Sequence, residues 1–192
     1  MLQLAEIFYS FQGEGAHTGK PAIFVRLAGC NLSCAFCDTD YSLKFVASVD
    51  DVARRVNEES ADCPTVILTG GEPLAQTATP ALIDALRATG RRVHIESNGT
   101  IARALPADVW LTVSPKERLD PAMAARADEV KLIVDGRVPY EWLDAFAGRD
   151  VPMFLQPEGN KPANIALALA ALAQHPRTFR LSLQTHKFAG AR

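Results

Sequence analysis

The sequence predicts an α/β fold with a mainly parallel sheet. Short apolar runs rich in β-branched residues alternate with helix-like stretches, the pattern of parallel strands joined by crossover helices. With 192 residues, 48% of them hydrophobic, the chain is long enough for one domain with a substantial core. Some connections, such as residues 98–108, are too short for a crossover helix. If the sheet curls into a (β/α) barrel, we therefore expect a truncated one.

Seven segments are predicted to be strands, and their apolar character suggests that both faces of the sheet are covered. They are residues 22–27, 65–69, 92–97, 109–114, 130–134, 152–156 and 179–184.

Three helices are predicted between these strands, at residues 48–60, 79–90 and 164–175. Ser48 is a suitable N-cap for the first helix. The second has Thr79 as its predicted cap, Pro80 at the first helical position and Gly90 as its stop. The third is nearly all apolar.

The charge pattern argues against several classes of partner. The formal net charge is −2 and like charges do not cluster, which disfavours a surface for nucleic acid or an anionic membrane. No apolar stretch is long enough to span a membrane, and the opening MLQLAEIFYSFQGEG lacks the basic and apolar regions of a signal peptide. We therefore expect a cytoplasmic protein that acts on a small ligand or a protein.

Polar motifs follow five of the predicted strands. Because the carboxyl ends of parallel strands share one rim, we expect these motifs to meet there. They are CNLSCAFCDTD at 30–40, GGEP at 70–73, NGT at 98–100, PKE at 115–117 and PEG at 157–159.

Three cysteines, Cys30, Cys34 and Cys37, form the pattern C-x3-C-x2-C in the first of these motifs. A structural zinc site would need a fourth ligand, but Cys63 is expected at the opposite rim and His17 precedes the strand. A buried cysteine trio, or a disulfide with a spare thiol, is a further alternative. The spacing favours a [4Fe-4S] cluster in which three irons have thiolate ligands and the fourth iron is open.

This cysteine pattern, with an aromatic residue before its last cysteine, resembles the radical S-adenosylmethionine (SAM) superfamily. The resemblance implies a radical SAM core on a truncated (partial) TIM-like (β/α) barrel, with SAM bound at the open iron. TGGEP at 69–73 resembles the glycine-rich strand end that meets the methionyl ammonium of SAM. By this resemblance the SAM-binding residues are Phe36, Cys37, Asp38, Gly71, Glu72, Glu96, Ser97, Ser114, Pro115, Lys116 and Gln156.

Without the resemblance, GGEP is equally an ordinary turn. The polar residues at the other strand ends could likewise be loop residues or caps that satisfy backbone groups.

The stretch EIFYSFQGEGAHTGKPAIFVRLAGCNLSCAFCDT closely resembles the 7-carboxy-7-deazaguanine synthase family, and the likeness continues to the closing LSLQTHKFAGAR. That family contracts the ring of 6-carboxy-5,6,7,8-tetrahydropterin and releases ammonia, on the route to queuosine and other deazapurines. The resemblance implies a lyase with one radical SAM core domain over residues 1–192, a homodimer, and an electron donor such as flavodoxin or ferredoxin.

The resemblance also predicts where the pterin binds. Its residues are Phe11, Gln12, Gly13, Glu14, Arg26 and Thr69. FQGEG offers amides and close backbone approach to a flat polar ring, although it could be a plain glycine turn. Arg26 lies in an apolar strand, where a guanidinium is costly unless an anion meets it. That anion is either the substrate carboxylate or a structural acid.

Family members of this kind can use Mg2+, and Thr39 is at the position that resembles the protein ligand. Asp38 and Asp40 are weaker candidates, and the alternative is a solvated turn in which Asp38 caps backbone amides. His186 and Lys187 either close over the site or belong to an exposed terminus.

Two other functions stay open. A glycyl-radical-enzyme activase would use the same cysteine spacing but would need a docking face for a large protein. A non-catalytic metal-binding module would use the cysteines only for structure. Arg26 and FQGEG favour a small anionic substrate over both.

Overall fold

Nine strands form one sheet in the part of the chain that the computed structural model describes, residues 1–191. They are β1 (Leu2–Phe11), β2 (Pro21–Leu27), β3 (Phe45–Ala47), β4 (Thr65–Gly70), β5 (Arg92–Ser97), β6 (Trp110–Val113), β7 (Glu129–Val134), β8 (Met153–Pro157) and β9 (Phe179–Leu181). Their order is β3-β1-β2-β4-β5-β6-β7-β8-β9. β2 and β4 through β9 are parallel, whereas β1 runs antiparallel to β2 and β3. The predicted α/β fold with a mainly parallel sheet is confirmed.

The seven predicted strands correspond to the seven parallel strands, while β1 and β3 were not predicted. The other predicted bounds agree to within one residue, but β9 ends at Leu181 and not at residue 184. The backbone N–H of Gln184 instead donates to Asn160 Oδ1 at 3.0 Å. Between β5 and β6 the structure has no helix, as the short connection predicted.

The helices in residues 1–191 are α1 (Val49–Glu59), α2 (Thr79–Ala88), α3 (Pro121–Arg126), α4 (Pro162–Gln174) and α5 (Thr185–Phe188). No helix in this part of the chain is both long and apolar enough to cross a membrane.

The three predicted helices are α1, α2 and α4. Ser48 caps α1 as predicted, because its Oγ accepts the Asp51 N–H at 3.1 Å. The predicted cap of α2 was wrong. Ala78 occupies the N-cap position, and the buried Thr79 hydroxyl donates to the Pro73 carbonyl at 2.5 Å.

The two faces of the sheet differ in chemistry. One face packs against helices and forms the hydrophobic core, with fully buried residues such as Leu68, Ile95 and Leu132. The opposite face carries polar side chains in alternating positions, among them Glu96 and Lys131. Both faces are largely covered, as predicted, but only the helix-side face is apolar throughout. The polar face supplies the candidate site.

The lower end of the polar face is narrowed by the chain itself, which leaves a smaller cavity of about 170 Å³ there. The 3-10 turn Gly15–His17 places the His17 ring 4.5 Å from the His94 ring and 4.6 Å from the Trp110 ring, between centroids. Burial lowers the pKa of His94 to about 3, so this ring is neutral in the interior. The open space of this face is therefore concentrated at the upper end, where the parallel strands finish.

Cys63 lies before the first residue of β4, at the end of that strand opposite the cysteine loop. It is buried in the hydrophobic core with a free thiol, as expected for a small apolar side chain.

Candidate functional site

A cavity of about 470 Å³ opens at the carboxyl ends of the parallel strands. It is lined by residues from all of the predicted rim motifs, so the structure brings these motifs together. The predicted site residues that line it are Phe11, Gln12, Gly13, Glu14, Arg26, Cys30, Cys34, Phe36, Cys37, Asp38, Thr39, Thr69, Gly71, Glu96, Ser97, Ser114, Lys116 and Gln156.

Two predicted residues are placed differently, because neither Glu72 nor Pro115 is among the described residues that line the cavity. Glu72 is fully buried beneath the GGEP turn, and its carboxylate accepts the backbone N–H groups of Leu74 (2.9 Å) and Asn98 (2.7 Å) and the Ser97 hydroxyl. The prediction that this carboxylate meets SAM is therefore corrected. Glu72 joins the turn to the end of β5.

The cysteine loop holds three free thiols at the edge of the cavity. Cys30 and Cys34 are partly buried and Cys37 is exposed. The Cys37 N–H donates to the Cys34 carbonyl at 3.1 Å, which makes a tight turn between these two cysteines. Burial raises the pKa of the Cys34 thiol, and the nearby Lys116 ammonium opposes that shift.

Gly71 allows the cysteine loop and the GGEP turn to touch. A Cβ at this position would lie 2.0 Å from the Gly29 carbonyl oxygen and 2.6 Å from the Cys30 Cβ. The next residue, Glu72, donates its N–H to the same carbonyl at 3.1 Å. The glycine is therefore required for close packing beside the first cysteine.

A buried charge network lies below the cysteines. Lys131 Nζ donates to Glu14 Oε2 at 2.5 Å and to Glu96 Oε2 at 2.8 Å. Gln12 Nε2 donates to the other oxygen of Glu96 at 3.1 Å, and Gln184 Nε2 to the other oxygen of Glu14 at 3.0 Å. Lys131 and Gln184 were not predicted from the sequence. A lysine inside the apolar run VKLIV is as costly to bury as Arg26, so the same argument applied there would have found it.

Lys116 and Ser114 close the side of the cavity next to the cysteine loop. Lys116 Nζ donates to Ser114 Oγ at 2.5 Å, and the Ser114 hydroxyl donates to the Lys131 carbonyl at 2.8 Å. The Lys116 ammonium also lies 5.8 Å from the Phe36 ring centroid. Burial, assisted by the Lys131 charge, lowers the pKa of Lys116 to about 8.

Arg26 has features of both interpretations that the sequence allowed. Its Nε donates to Glu6 Oε1 at 2.7 Å, across the antiparallel pairing of β1 and β2. The alternative of a structural ion pair is therefore present, although its partner is a half-buried rim acid and not a core acid. Arg26 nevertheless lines the cavity.

The oxygen donors predicted for magnesium lie at the mouth of the cavity, and Thr39, Asp38 and Asp40 all line it. Asp40 accepts the Ser42 N–H at 2.9 Å and pairs with Lys44 at 3.3 Å. Among these three residues, the one that caps a backbone amide is therefore Asp40 and not Asp38.

Helix α5 covers this edge of the cavity. Lys187 Nζ lies 2.5 Å from Asp38 Oδ2. The backbone N–H and the hydroxyl of Thr185 both donate to the Gly13 carbonyl, each at 2.9 Å. His186 and Lys187 line the cavity, in keeping with the interpretation that they close over the site.

Comparison with known proteins matches the radical SAM superfamily over residues 24–136. A 7-carboxy-7-deazaguanine synthase from Bacteroides thetaiotaomicron is 44% identical, and the match covers 100% of both chains. The synthase of the same name from Rhodospirillum rubrum is 39% identical over 97% of this chain and 91% of that protein. The chain belongs to the 7-carboxy-7-deazaguanine synthase family of the radical SAM superfamily.

Solved structures agree with this family membership. The crystal structure of QueE from Escherichia coli superposes with a TM-score of 0.82 at 30% identity, over 96% of this chain and 94% of that one. SuiB from Streptococcus suis, bound to its precursor peptide, matches with a TM-score of 0.58 at 12% identity, over 79% of this chain and 46% of that one. The second likeness concerns the fold alone.

The radical SAM superfamily implies a [4Fe-4S] cluster and SAM, and the donors in the cavity fit both groups. Three free thiols in one loop are of the chemical type that the cluster needs, and Gly71 keeps the space beside Cys30 clear of a side chain. Among residues 1–191, no group of three His, Cys, Asp or Glu side chains is already arranged to hold a metal ion. Carboxylate, hydroxyl and ammonium groups on the next strand ends suit the polar groups of SAM.

Proposed function

We propose that this protein converts 6-carboxy-5,6,7,8-tetrahydropterin into 7-carboxy-7-deazaguanine with release of ammonia, as a lyase in queuosine and deazapurine biosynthesis. The observation that carries the proposal is the convergence of FQGEG, Arg26 and the three cysteines on one cavity, in a chain with full-length synthase relatives. A cavity of about 470 Å³ also lies in the usual size range of small-molecule sites.

The proposed cluster ligands are Cys30, Cys34 and Cys37. When bound, the cluster and SAM supply a carbon-centred radical that removes hydrogen from the substrate. The chain's own residues bind and orient these groups and exclude water. For SAM we propose the cavity-lining residues Phe36, Cys37, Asp38, Gly71, Glu96, Ser97, Ser114, Lys116 and Gln156.

On the substrate side, we propose that Arg26 binds the pterin carboxylate while it retains its ion pair with Glu6. Gln12 and Glu14 present a side-chain amide and a carboxylate to the polar edge of the ring, and the main chain of Phe11 and Gly13 approaches it closely. The remaining proposed substrate contact is Thr69, at the end of β4.

The proposal extends to the surroundings of the site. Thr39 is the proposed Mg2+ ligand, because both neighbouring aspartates already bind donors of the chain. We also propose a cytoplasmic homodimer in which each chain is one radical SAM core domain, reduced by flavodoxin or ferredoxin.

The decisive experiment is anaerobic incubation of the reconstituted enzyme with SAM, a reductant, Mg2+ and the carboxylated tetrahydropterin. Mass spectrometry should detect a product that has lost the mass of ammonia. If SAM is cleaved without conversion of the pterin, the activase alternative gains support and the proposal fails. Stoichiometric zinc without iron after anaerobic preparation would instead support the non-catalytic module. Chelation of Mg2+ should slow conversion, and an unchanged rate would remove Thr39 from the metal assignment.

A matched pair of cysteine variants tests the cluster assignment. Cys34→Ala should lose the iron–sulfur absorbance and all SAM cleavage, because one of three thiolate ligands is removed. Cys63→Ala should retain both, since its thiol is buried in the core away from the cysteine loop. Iron content and reductive SAM cleavage are measured on both proteins. Retention of the cluster in Cys34→Ala would show that these cysteines are not the ligands.

A further inference from the structure

Lys131 is a buried ammonium group for which neither the sequence motifs nor the proposed ligand contacts give a role. It projects from the middle of β7 and is 7% exposed. A buried lysine charge is expensive unless acids pair with it, and here two carboxylates do so at 2.5 Å and 2.8 Å. Burial alone would lower the pKa of Lys131, but Glu14 and Glu96 outweigh it and hold that pKa above its usual value.

The two carboxylates belong to different halves of the proposed site. Glu14 lies in the loop after β1, on the proposed pterin side, and Glu96 lies at the end of β5, on the proposed SAM side. Burial would raise the pKa of Glu14, but the Lys131 ammonium overrides this effect and lowers that pKa to about 2. One cation thus stabilises the acid on which pterin recognition depends.

We propose that Lys131 is a positioning residue that holds Glu14 and Glu96 side by side as hydrogen-bond acceptors, so that the cavity selects a ring edge rich in N–H donors. This inference rests on the proposed function and deepens it. The amino and ring N–H groups of a reduced pterin form such an edge, and two ionised carboxylates can only accept hydrogen bonds.

Removal of the lysine charge should change the chemistry of this pair. Two buried carboxylates without a cation between them do not both ionise easily, and they are expected to share one proton. A protonated carboxyl group presents a donor where the ring also presents donors. The pterin should then bind well only at a pH where the shared proton has left.

Other ionisable groups lie around the Glu14 and Glu96 carboxylates. Glu129 lies below it on β7, Lys116 beside it, and Asp38, His186 and Lys187 at the cavity mouth. All of them are retained in the variants below. The Lys131 charge also lowers the pKa of Lys116, Glu129 and His186, so their contribution differs between the wild type and Lys131→Met. The informative comparison is therefore between Lys131→Met and the double variant below, since both of them lack the lysine.

The test is binding of 6-carboxy-5,6,7,8-tetrahydropterin to anaerobically reconstituted holoenzyme, measured by titration calorimetry from pH 6.5 to 9. Lys131→Met should weaken binding about tenfold at pH 7, because most molecules of the variant would then carry the shared proton. The loss should shrink as the pH rises. Lys131→Gln, which keeps a donor without a charge, repeats the test if the methionine variant does not fold.

Two controls separate positioning from folding. The double variant Lys131→Met with Glu14→Gln has only one carboxylate of the pair, so the repulsion between the two acids is gone and its affinity should depend less on pH than that of Lys131→Met. Arg177→Met removes an exposed cation in the turn between α4 and β9, which is not among the described residues that line the cavity, and should match the wild type. Circular dichroism and iron content verify that each variant is folded and loaded.

The outcomes are distinguishable. A loss in Lys131→Met that is equal at every pH, or no loss at all, would overturn the positioning role. A pH dependence that is undiminished in the double variant would also overturn it, because it would not then arise from the pair of acids. If the wild type itself does not bind the pterin, the proposed function fails, whatever the variants do.

Discussion

At the scale of single residues, buried acids hold the loops that form the site. Glu129 is 3% exposed and accepts the Ala16 N–H at 3.0 Å, which anchors the turn after FQGEG. Gly15 packs directly on this carboxylate, since a Cβ there would lie 1.9 Å from Glu129 Oε1. Burial, together with the charge of Glu96, raises the pKa of Glu129 to about 7.

This raised pKa predicts a pH dependence of stability. Between pH 4.5 and about 7, folded Glu129 keeps a proton that the unfolded chain releases. Its contribution to stability is therefore present below pH 4.5 and is lost as the pH rises through about 7. The shift corresponds to about 3 kcal/mol. Glu129→Gln, which stays neutral, should lack this decline.

Urea unfolding of the cluster-free protein from pH 4.5 to 7.5, with and without the substitution, measures this difference. The free energy of unfolding of the wild type should fall relative to that of Glu129→Gln as the pH rises. Parallel curves would mean that Glu129 ionises normally in the folded protein.

Single residues also show how far sequence reasoning reaches at the site. Arg26 was identified because it is a charge in an apolar strand within the stretch that resembles the synthase family, whereas Lys131 lies in a strand with no motif beside it. Glu72 was predicted to face the ligand, but its carboxylate turns inward to satisfy buried N–H groups. A motif identifies the residue types at a site, while the direction of a side chain depends on neighbours that are distant in sequence.

At the scale of secondary structure, the least predictable element was β1. Its register shifts between Leu4 and Glu6, so Leu4 pairs with Leu27 and Glu6 pairs with Arg26. This bulge breaks the two-residue alternation by which a half-buried strand is recognised in sequence. The three residues of β3 are too few for any pattern. The parallel strands could be predicted because their apolar runs are continuous.

The bulge has a consequence for the site. It turns Glu6 to the cavity face, where it meets Arg26, while Leu2 and Leu4 remain in the hydrophobic core. A regular strand could not place these residues on both faces with the observed spacing. The irregularity that makes β1 hard to predict therefore also helps to build the side of the cavity that Arg26 lines.

The contact between FQGEG and α5 gives a prediction at this scale. A Cβ on Gly13 would lie 2.2 Å from His186 Nδ1, so Gly13→Ala should displace α5 from the cavity mouth. Trypsin should then cleave after Lys187 several-fold faster, as followed by mass spectrometry.

The compensating double variant Gly13→Ala with His186→Ala removes the ring that the new methyl group would meet. It should restore slow cleavage. If the single variant is cleaved at the wild-type rate, the position of α5 does not depend on this contact. If the double variant is still cleaved fast, Gly13→Ala does not act through its contact with His186.

At the scale of the whole molecule, the sheet separates stability from chemistry. The helix-side face holds the apolar core, and the opposite face carries the charged and polar groups of the cavity. Neighbouring residues of one strand therefore lie on opposite faces, one in the cavity and the next in the core. On β7, Lys131 faces the cavity, while the next residue, Leu132, is fully buried in the core.

This separation predicts that Leu132→Ala and Lys131→Met affect different properties. Leu132→Ala should lower the free energy of unfolding by about 2–5 kcal/mol, because it leaves a cavity in a packed core. At temperatures where it stays folded, its pterin affinity should equal that of the wild type. Lys131→Met should instead change the pH dependence of affinity. Urea unfolding and pterin titration on the same two holoenzymes provide the comparison, and a large loss of affinity in Leu132→Ala would show that the two faces are coupled through β7.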